Sequence, residues 1–287
     1  LYAASVANFG TEQLNGLLGF PSSEASAYYQ KSLDASNEIL NNGPFALYRN
    51  FSDPVENFIN LFLDESANTE AIFVEKYDQD AGKSHSLDIT GTPAGFGFGW
   101  NSNYPVYLET LENFDFIDGT SGKVDRSIYD GQTPIDPDDF FGKRDPRMRA
   151  SIFYPGAPFK DGRFYSHRKT TYTDPATNER KTTTASGFII PNSDGWPGAG
   201  HPRHRGGNPT GLLMRKRINP ATPDGVGSST DIIIFRLGEI YLNYVEAAFY
   251  LNDPNGDMEA RFNEIRDRAG MPTLSFGEIT EDKIRQE

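Results

Sequence analysis

The chain has 287 residues, 37% hydrophobic and 13% aromatic, enough to bury a sizeable core in one large domain or two closely packed units. A net charge of −13 argues against general nucleic-acid binding, no apolar run approaches the roughly 18 residues needed to cross a bilayer, and the start does not read as a signal peptide. The absence of cysteine excludes disulfides, thiolate catalysis and cysteine metal sites, and leaves the redox compartment open.

In chain order, the first predicted helix spans about residues 23–42, with Tyr28, Ala35, Ile39 and Leu40 on one face. It ends at Asn41-Asn42-Gly43-Pro44, where glycine suits a left-handed cap and proline cannot continue the turn. Glu70 to Tyr77, carrying Ile72, Phe73 and Val74, is a short apolar strand candidate. Pro105 fits a first helical turn and groups Tyr107, Leu108, Leu111 and Phe114 before the turn at Asp118-Gly119. Met148, Ala150, Ile152 and Tyr154 alternate with polar residues and predict a strand ahead of Pro155-Gly156. From about 157 to 208 aliphatic residues are few and Gly, Pro, Thr, Asp and Arg many, which predicts a long loop-rich excursion. The clearest pattern comes last. Leu237, Ile240, Tyr241, Tyr244, Val245, Ala248 and Leu251 form one apolar stripe, Asn252 to Gly256 breaks it, and Met258, Phe262, Ile265 and Ala269 form a second, closed by Gly270 and Pro272. These predict two antiparallel helices within a hairpin spanning about 232–269.

Charge is uneven along the chain. Lys143 to Arg217 holds 15 Lys/Arg against 5 Asp/Glu, a balance of +10, so the remainder carries −23. Pairing of these bases with the acidic flanks is the plainer reading; attraction of an anionic ligand is the sharper one.

The run Phe235-Arg236-Leu237-Gly238-Glu239-Ile240-Tyr241-Leu242-Asn243-Tyr244-Val245-Glu246-Ala247, followed by Phe262-Asn263-Glu264-Ile265-Arg266-Asp267-Arg268-Ala269-Gly270, resembles the C-terminal helical signature of the SusD/RagB family. Weaker similarities fall in the family's order: Pro105 to Gly119, Asp145-Pro146-Arg147 through Gly156, and Thr210-Gly211 through Lys216. The resemblance implies a mainly α fold, a scaffold of tetratricopeptide-like helical hairpins with a loop-rich irregular region containing short β-strands, and one domain over 1–287 that lacks N- and C-terminal portions. It implies a non-catalytic, cell-surface glycan-binding protein of the outer membrane, held by a lipid anchor upstream of this stretch. That protein would deliver oligo- or polysaccharide to a SusC-like TonB-dependent transporter. Gly238 departs from the family's usual alanine and costs roughly 1 kcal/mol in a helix interior unless a close neighbour uses the missing side chain.

The family's glycan contacts come from variable loops, so the site is argued from chemistry. Sugars present apolar C–H faces rimmed by hydroxyls, which calls for exposed aromatic platforms beside polar groups. Gly95 to Tyr104 interleaves Phe96, Phe98, Trp100 and Tyr104 with glycines, next to Asn101; Gly195-Trp196-Pro197-Gly198 sets Trp196 near Arg203. These seven are the candidate ligand contacts, against the alternative that the rings fill a junction between helices and loops. If Arg163, Arg168, Arg203 and Arg205 lie near such a platform, an acidic polysaccharide fits. No catalytic constellation emerges: there is no Gly-x-Ser-x-Gly elbow and no His-Glu-x-x-His. No metal or cofactor is expected. Arginines flank the imidazoles of His201 and His204, and Asp136-Pro137-Asp138-Asp139 lacks the rest of a calcium-loop pattern. A carbohydrate-active hydrolase and a helical-repeat interaction scaffold remain the competing readings.

Overall fold

Helices form the two ends of the chain and short strand pairs the middle. The computed structural model describes residues 1–93, 96, 103–128, 136–160, 162–164, 170–173, 177–183 and 210–287. Among these, α1 (Tyr2–Phe9), α2 (Ala25–Asn42) and α3 (Pro54–Asn60) precede β1 (Ala71–Glu75). The short helices α4 (Leu87–Gly91), α5 (Leu108–Leu111), α6 (Pro137–Phe140) and α7 (Pro146–Ser151) follow. Next come β2 (Ile152–Phe153), β3 (Pro158–Phe159), β4 (Gly162–Arg163), β5 (Thr170–Thr173), β6 (Arg180–Thr183), β7 (Leu213–Met214) and β8 (Ile232–Arg236). The chain closes with α8 (Leu237–Tyr250), α9 (Met258–Arg268) and α10 (Glu281–Gln286). The strands pair as four antiparallel ribbons, β1 with β8, β2 with β7, β3 with β4 and β5 with β6.

The apolar stripes of α8 and α9 meet α2 in one core, where Tyr29 and Leu33 pack with Tyr244, Val245, Ala248 and Phe262. Asn252 and Asp253 turn between α8 and α9 with positive φ of 58° and 48°, conformations in which Asn and Asp are the most tolerated non-glycine residues. Gly270, at φ 72°, ends α9 as the Met271 N–H reaches the Arg266 carbonyl at 2.9 Å and the Gly270 N–H the Asp267 carbonyl at 2.9 Å, a Schellman closure. On α2 the buried face is Ala25, Tyr29, Leu33 and Ser36, and Ala35 is exposed. A hydropathy reading selects Ala35; the spacing of the buried positions selects its polar neighbour.

Two further expectations are corrected. Of residues 148–154, expected as one strand, only Ile152 and Phe153 form one, and the stretch before them is helical. Asp145 caps α7, accepting the Arg147 N–H at 2.7 Å, and Pro146 supplies the first helical φ, so the alternating pattern is helical until Ile152. The helix expected from Pro105 begins only at Leu108, because Pro105 bridges Leu213 and the Val106 N–H donates to the Leu212 carbonyl at 3.0 Å. Tyr107, expected on the buried face, is 68% exposed.

Gly238 lies in the first turn of α8, where its N–H donates to Glu70 Oε1 at 3.2 Å. A Cβ there would sit 2.7 Å from that oxygen and closer still to Arg236 Nη1. Its missing side chain makes room for an ion pair, which answers the cost of glycine at this position.

Candidate functional site

A second core lies under the middle of the chain, formed by Met148, Phe153, Phe159, Phe164 and Leu213 with Phe96. Beside it opens a cleft of about 500 Å³, lined by Asp53, Val55, Glu56 and Ile59 at α3 and by Arg149, Tyr154, Phe159, Lys160 and Arg215. The β2–β7 pairing builds the cationic wall: Ile152 is opposite Met214, and the Arg215 N–H donates to the Ser151 carbonyl at 2.7 Å, bringing the residue after β7 beside α7. The Arg215 guanidinium lies 5.7 Å from the Phe153 ring centroid, and burial lowers its pKa. Burial raises the Tyr154 pKa, an effect that Arg149 and Arg215 oppose, and its ring stacks on Phe141 with centroids 5.3 Å apart. Lys160, in a left-handed conformation at φ 47°, donates to the Phe96 carbonyl at 2.8 Å and pairs with Asp224 at 3.1 Å.

The cleft thus adjoins the start of the aromatic–glycine run. The Phe96 ring is 4% exposed and meets Phe159 edge-on at 5.5 Å, so the expectation of an exposed platform at Phe96 is corrected: the apolar core between loop and hairpin claims the ring. At the far end of the run the Asn103 N–H reaches the Thr90 carbonyl at 3.1 Å. Tyr104, half-buried, shares a 2.9 Å hydrogen bond between its hydroxyl and that of Thr90. Phe98, Trp100, Asn101, Trp196 and Arg203 lie outside the described residues, as do His201 and His204. Sequence reasoning passed over Arg149, Tyr154 and Arg215; the signal available was their membership of the basic stretch.

Much of that stretch is paired as the plainer reading expects. Lys143 pairs with Asp139, Arg147 with Asp145 and Glu287, and Arg180 with Asp136 and Asp138. Asp136 also caps α6. Two carboxylates of the Asp136–Asp139 turn are therefore neutralised by a guanidinium, and no group of three or more metal-ligating side chains occurs among the described residues. Arg163 donates to the Gly156 carbonyl at 2.8 Å. A smaller cavity of about 180 Å³ lies between Phe58, Arg147, Lys216, Arg236 and Glu287.

A mainly helical scaffold with short two-stranded sheets defines the fold class. The SusD family model matches residues 69–287, and the chain belongs to that family. Among solved structures it is similar to a SusD-like protein from Bacteroides fragilis, with a TM-score of 0.60 and 19% identity over 92% of this chain and 48% of that one. A SusD-like carbohydrate-binding protein from the same species gives a TM-score of 0.61 and 21% identity, over 99% and 52% of the two chains. A protein crystallised with a xylogluco-oligosaccharide gives 0.55 and 15%, over 99% and 46%. The chain spans about half the length of these structures. No curated protein sequence matches it.

Proposed function

We propose that this protein captures an oligo- or polysaccharide at the cell surface without cleaving it. Membership of the SusD family over residues 69–287 is the observation that carries the reading. The carbohydrate-binding description of one structural relative and the bound xylogluco-oligosaccharide of another are consistent with it. The cleft suits binding better than hydrolysis. Its two carboxylates, Asp53 and Glu56, sit at one end of α3, and Asp53 is occupied in accepting the N–H groups of Val55 and Glu56 at 2.7 and 2.9 Å. A glycosidase needs two carboxylates on opposite sides of the scissile bond. Delivery to a SusC-like TonB-dependent transporter and a lipid anchor in the outer membrane belong to the same proposal.

Trp100 and Trp196 are the proposed stacking residues, and Phe98, Asn101, Tyr104 and Arg203 the further candidate contacts. A glycan panel assayed for both binding and product release is the test. Replacing Trp100 with Ala weakens binding by about fivefold or more, roughly 1 kcal/mol, with little change in melting temperature. Trp196→Ala is measured independently. Product release overturns the reading, and unchanged affinity in both variants alongside a large melting loss overturns the stacking role of the two rings.

A further inference from the structure

Among the described residues, every arginine except Arg149 and Arg215 directs its guanidinium at a carboxylate or a carbonyl. Arg144 meets the Phe140, Phe114 and Gly122 carbonyls, Arg217 that of Ile233, and Arg236 and Arg268 share Glu70. The two exceptions line the same cleft. Among the described residues, Arg149 Nε is buried without a hydrogen-bond partner, and the Arg215 guanidinium has the Phe153 ring beside it and no acceptor. Guanidinium N–H groups turned away from solvent ordinarily find an acceptor, and an arginine fork matches the two oxygens of a carboxylate or sulfate. Lys160, on the same side, is already satisfied by the Phe96 carbonyl and Asp224.

We infer that Arg149 and Arg215 form a subsite for an anionic substituent of the glycan, the carboxylate of a uronate or a sulfate ester. The inference rests on the glycan-binding reading above. Of the four arginines expected near such a ligand, Arg163 is engaged by the Gly156 carbonyl and Arg168, Arg203 and Arg205 lie outside the described residues, whereas Arg149 and Arg215 line one cleft. Asp53 and Glu56 line the same cleft from α3, where they disfavour a second anion and can accept from sugar hydroxyls while the charged substituent meets the two arginines.

The test is calorimetric titration of the protein with three oligosaccharide sets: oligogalacturonides, sulfated glycosaminoglycan fragments, and neutral xyloglucan and β-glucan oligosaccharides. One acidic set is expected to bind more tightly than the neutral ones, with affinity falling about tenfold between about 50 and 500 mM sodium chloride as screening shortens. Which acidic set binds distinguishes carboxylate from sulfate. Arg149→Gln and Arg215→Gln should each weaken that binding about tenfold, while Arg149→Lys, which keeps the charge and loses the fork, recovers part of it. Unchanged melting temperatures show that the variants fold; if Arg149→Gln does not fold, Arg215→Gln, on a loop outside any helix, gives the answer. Tight, salt-independent binding of a neutral glycan with no acidic preference overturns the subsite and leaves the glycan-binding reading standing. Binding to none of the three sets overturns both.

Discussion

Lys216 follows Arg215 in the chain but lines the smaller cavity instead of the open cleft. Its ammonium lies 4.5 Å from the Phe62 ring centroid and 5.7 Å from that of Phe58, with no carboxylate in ion-pair range among the described residues. Burial, and then the neighbouring charges of Arg236 and Arg217, push its pKa down to about 8. An unfolded lysine titrates near 10.4, so the unfolded chain binds this proton more tightly than the folded one. The group therefore destabilises the fold at neutral pH, and the penalty disappears as pH rises from about 8 towards 10. Lys216→Met, which keeps the volume and removes the unpaired cation, is expected to raise stability at pH 7 by about 1 kcal/mol. Comparing wild type and variant cancels the tyrosines that titrate at higher pH. Thermal melts from pH 7 to 10 should show the gap between the two proteins closing; a constant gap contradicts this account.

At the scale of elements, the long helices were legible because a 3.6-residue stripe repeated over several turns outweighs local ambiguity. Tyr244, Val245 and Ala248 on α8 and Phe262 and Ile265 on α9 are buried as their spacing requires. Short elements are legible only in part, because four residues carry too little periodicity to fix their ends: the helix expected from Pro105 is the single turn Leu108 to Leu111, with no side-chain hydrogen bond at its N-cap. The segment 146–151 is helical despite the alternation of Met148 and Ala150, because Asp145-Pro146 is a helix start. The cationic wall of the cleft was hidden for another reason. Arg149 and Arg215 are 66 positions apart in the sequence, and only the β2–β7 pairing joins them.

Asp145 offers a direct check on α7. Its carboxylate caps the helix and also grips the buried Arg147 guanidinium, with the shortest contact 2.7 Å. Asp145→Ala should cost about 3 kcal/mol or more, adding loss of a cap to a buried cation that retains only Glu287. Asp145→Asn keeps the cap acceptor and should recover about 1 kcal/mol in urea denaturation. A strand at this position would give equal losses for both.

Across the whole molecule, one carboxylate joins parts far apart in the chain. Glu70 is fully buried. Its Oε1 accepts from Arg236 at 2.7 Å and from the Gly238 N–H, and its Oε2 accepts from the Tyr48 N–H at 2.9 Å and from Arg268. The segment after α2, the β1–β8 ribbon, the start of α8 and the end of α9 therefore depend on its charge. Burial alone would raise its pKa, but Arg268 and Arg236, with the hydrogen bond from Tyr48, hold it below the ordinary carboxylate value. An unfolded glutamate titrates near 4.3. The stabilisation is thus fully present above about pH 4.3 and is lost as pH falls through the lower folded value. Glu70→Gln leaves two arginines without their counter-charge and is expected to cost about 3–5 kcal/mol at pH 6. Because acid protonates Glu70 in the wild type and cannot act on the glutamine, the gap between their melting temperatures should narrow as pH falls from about 5 to about 2. A gap that stays constant over that range would mean that the carboxylate's charge is not what ties the ribbon to the helical hairpin.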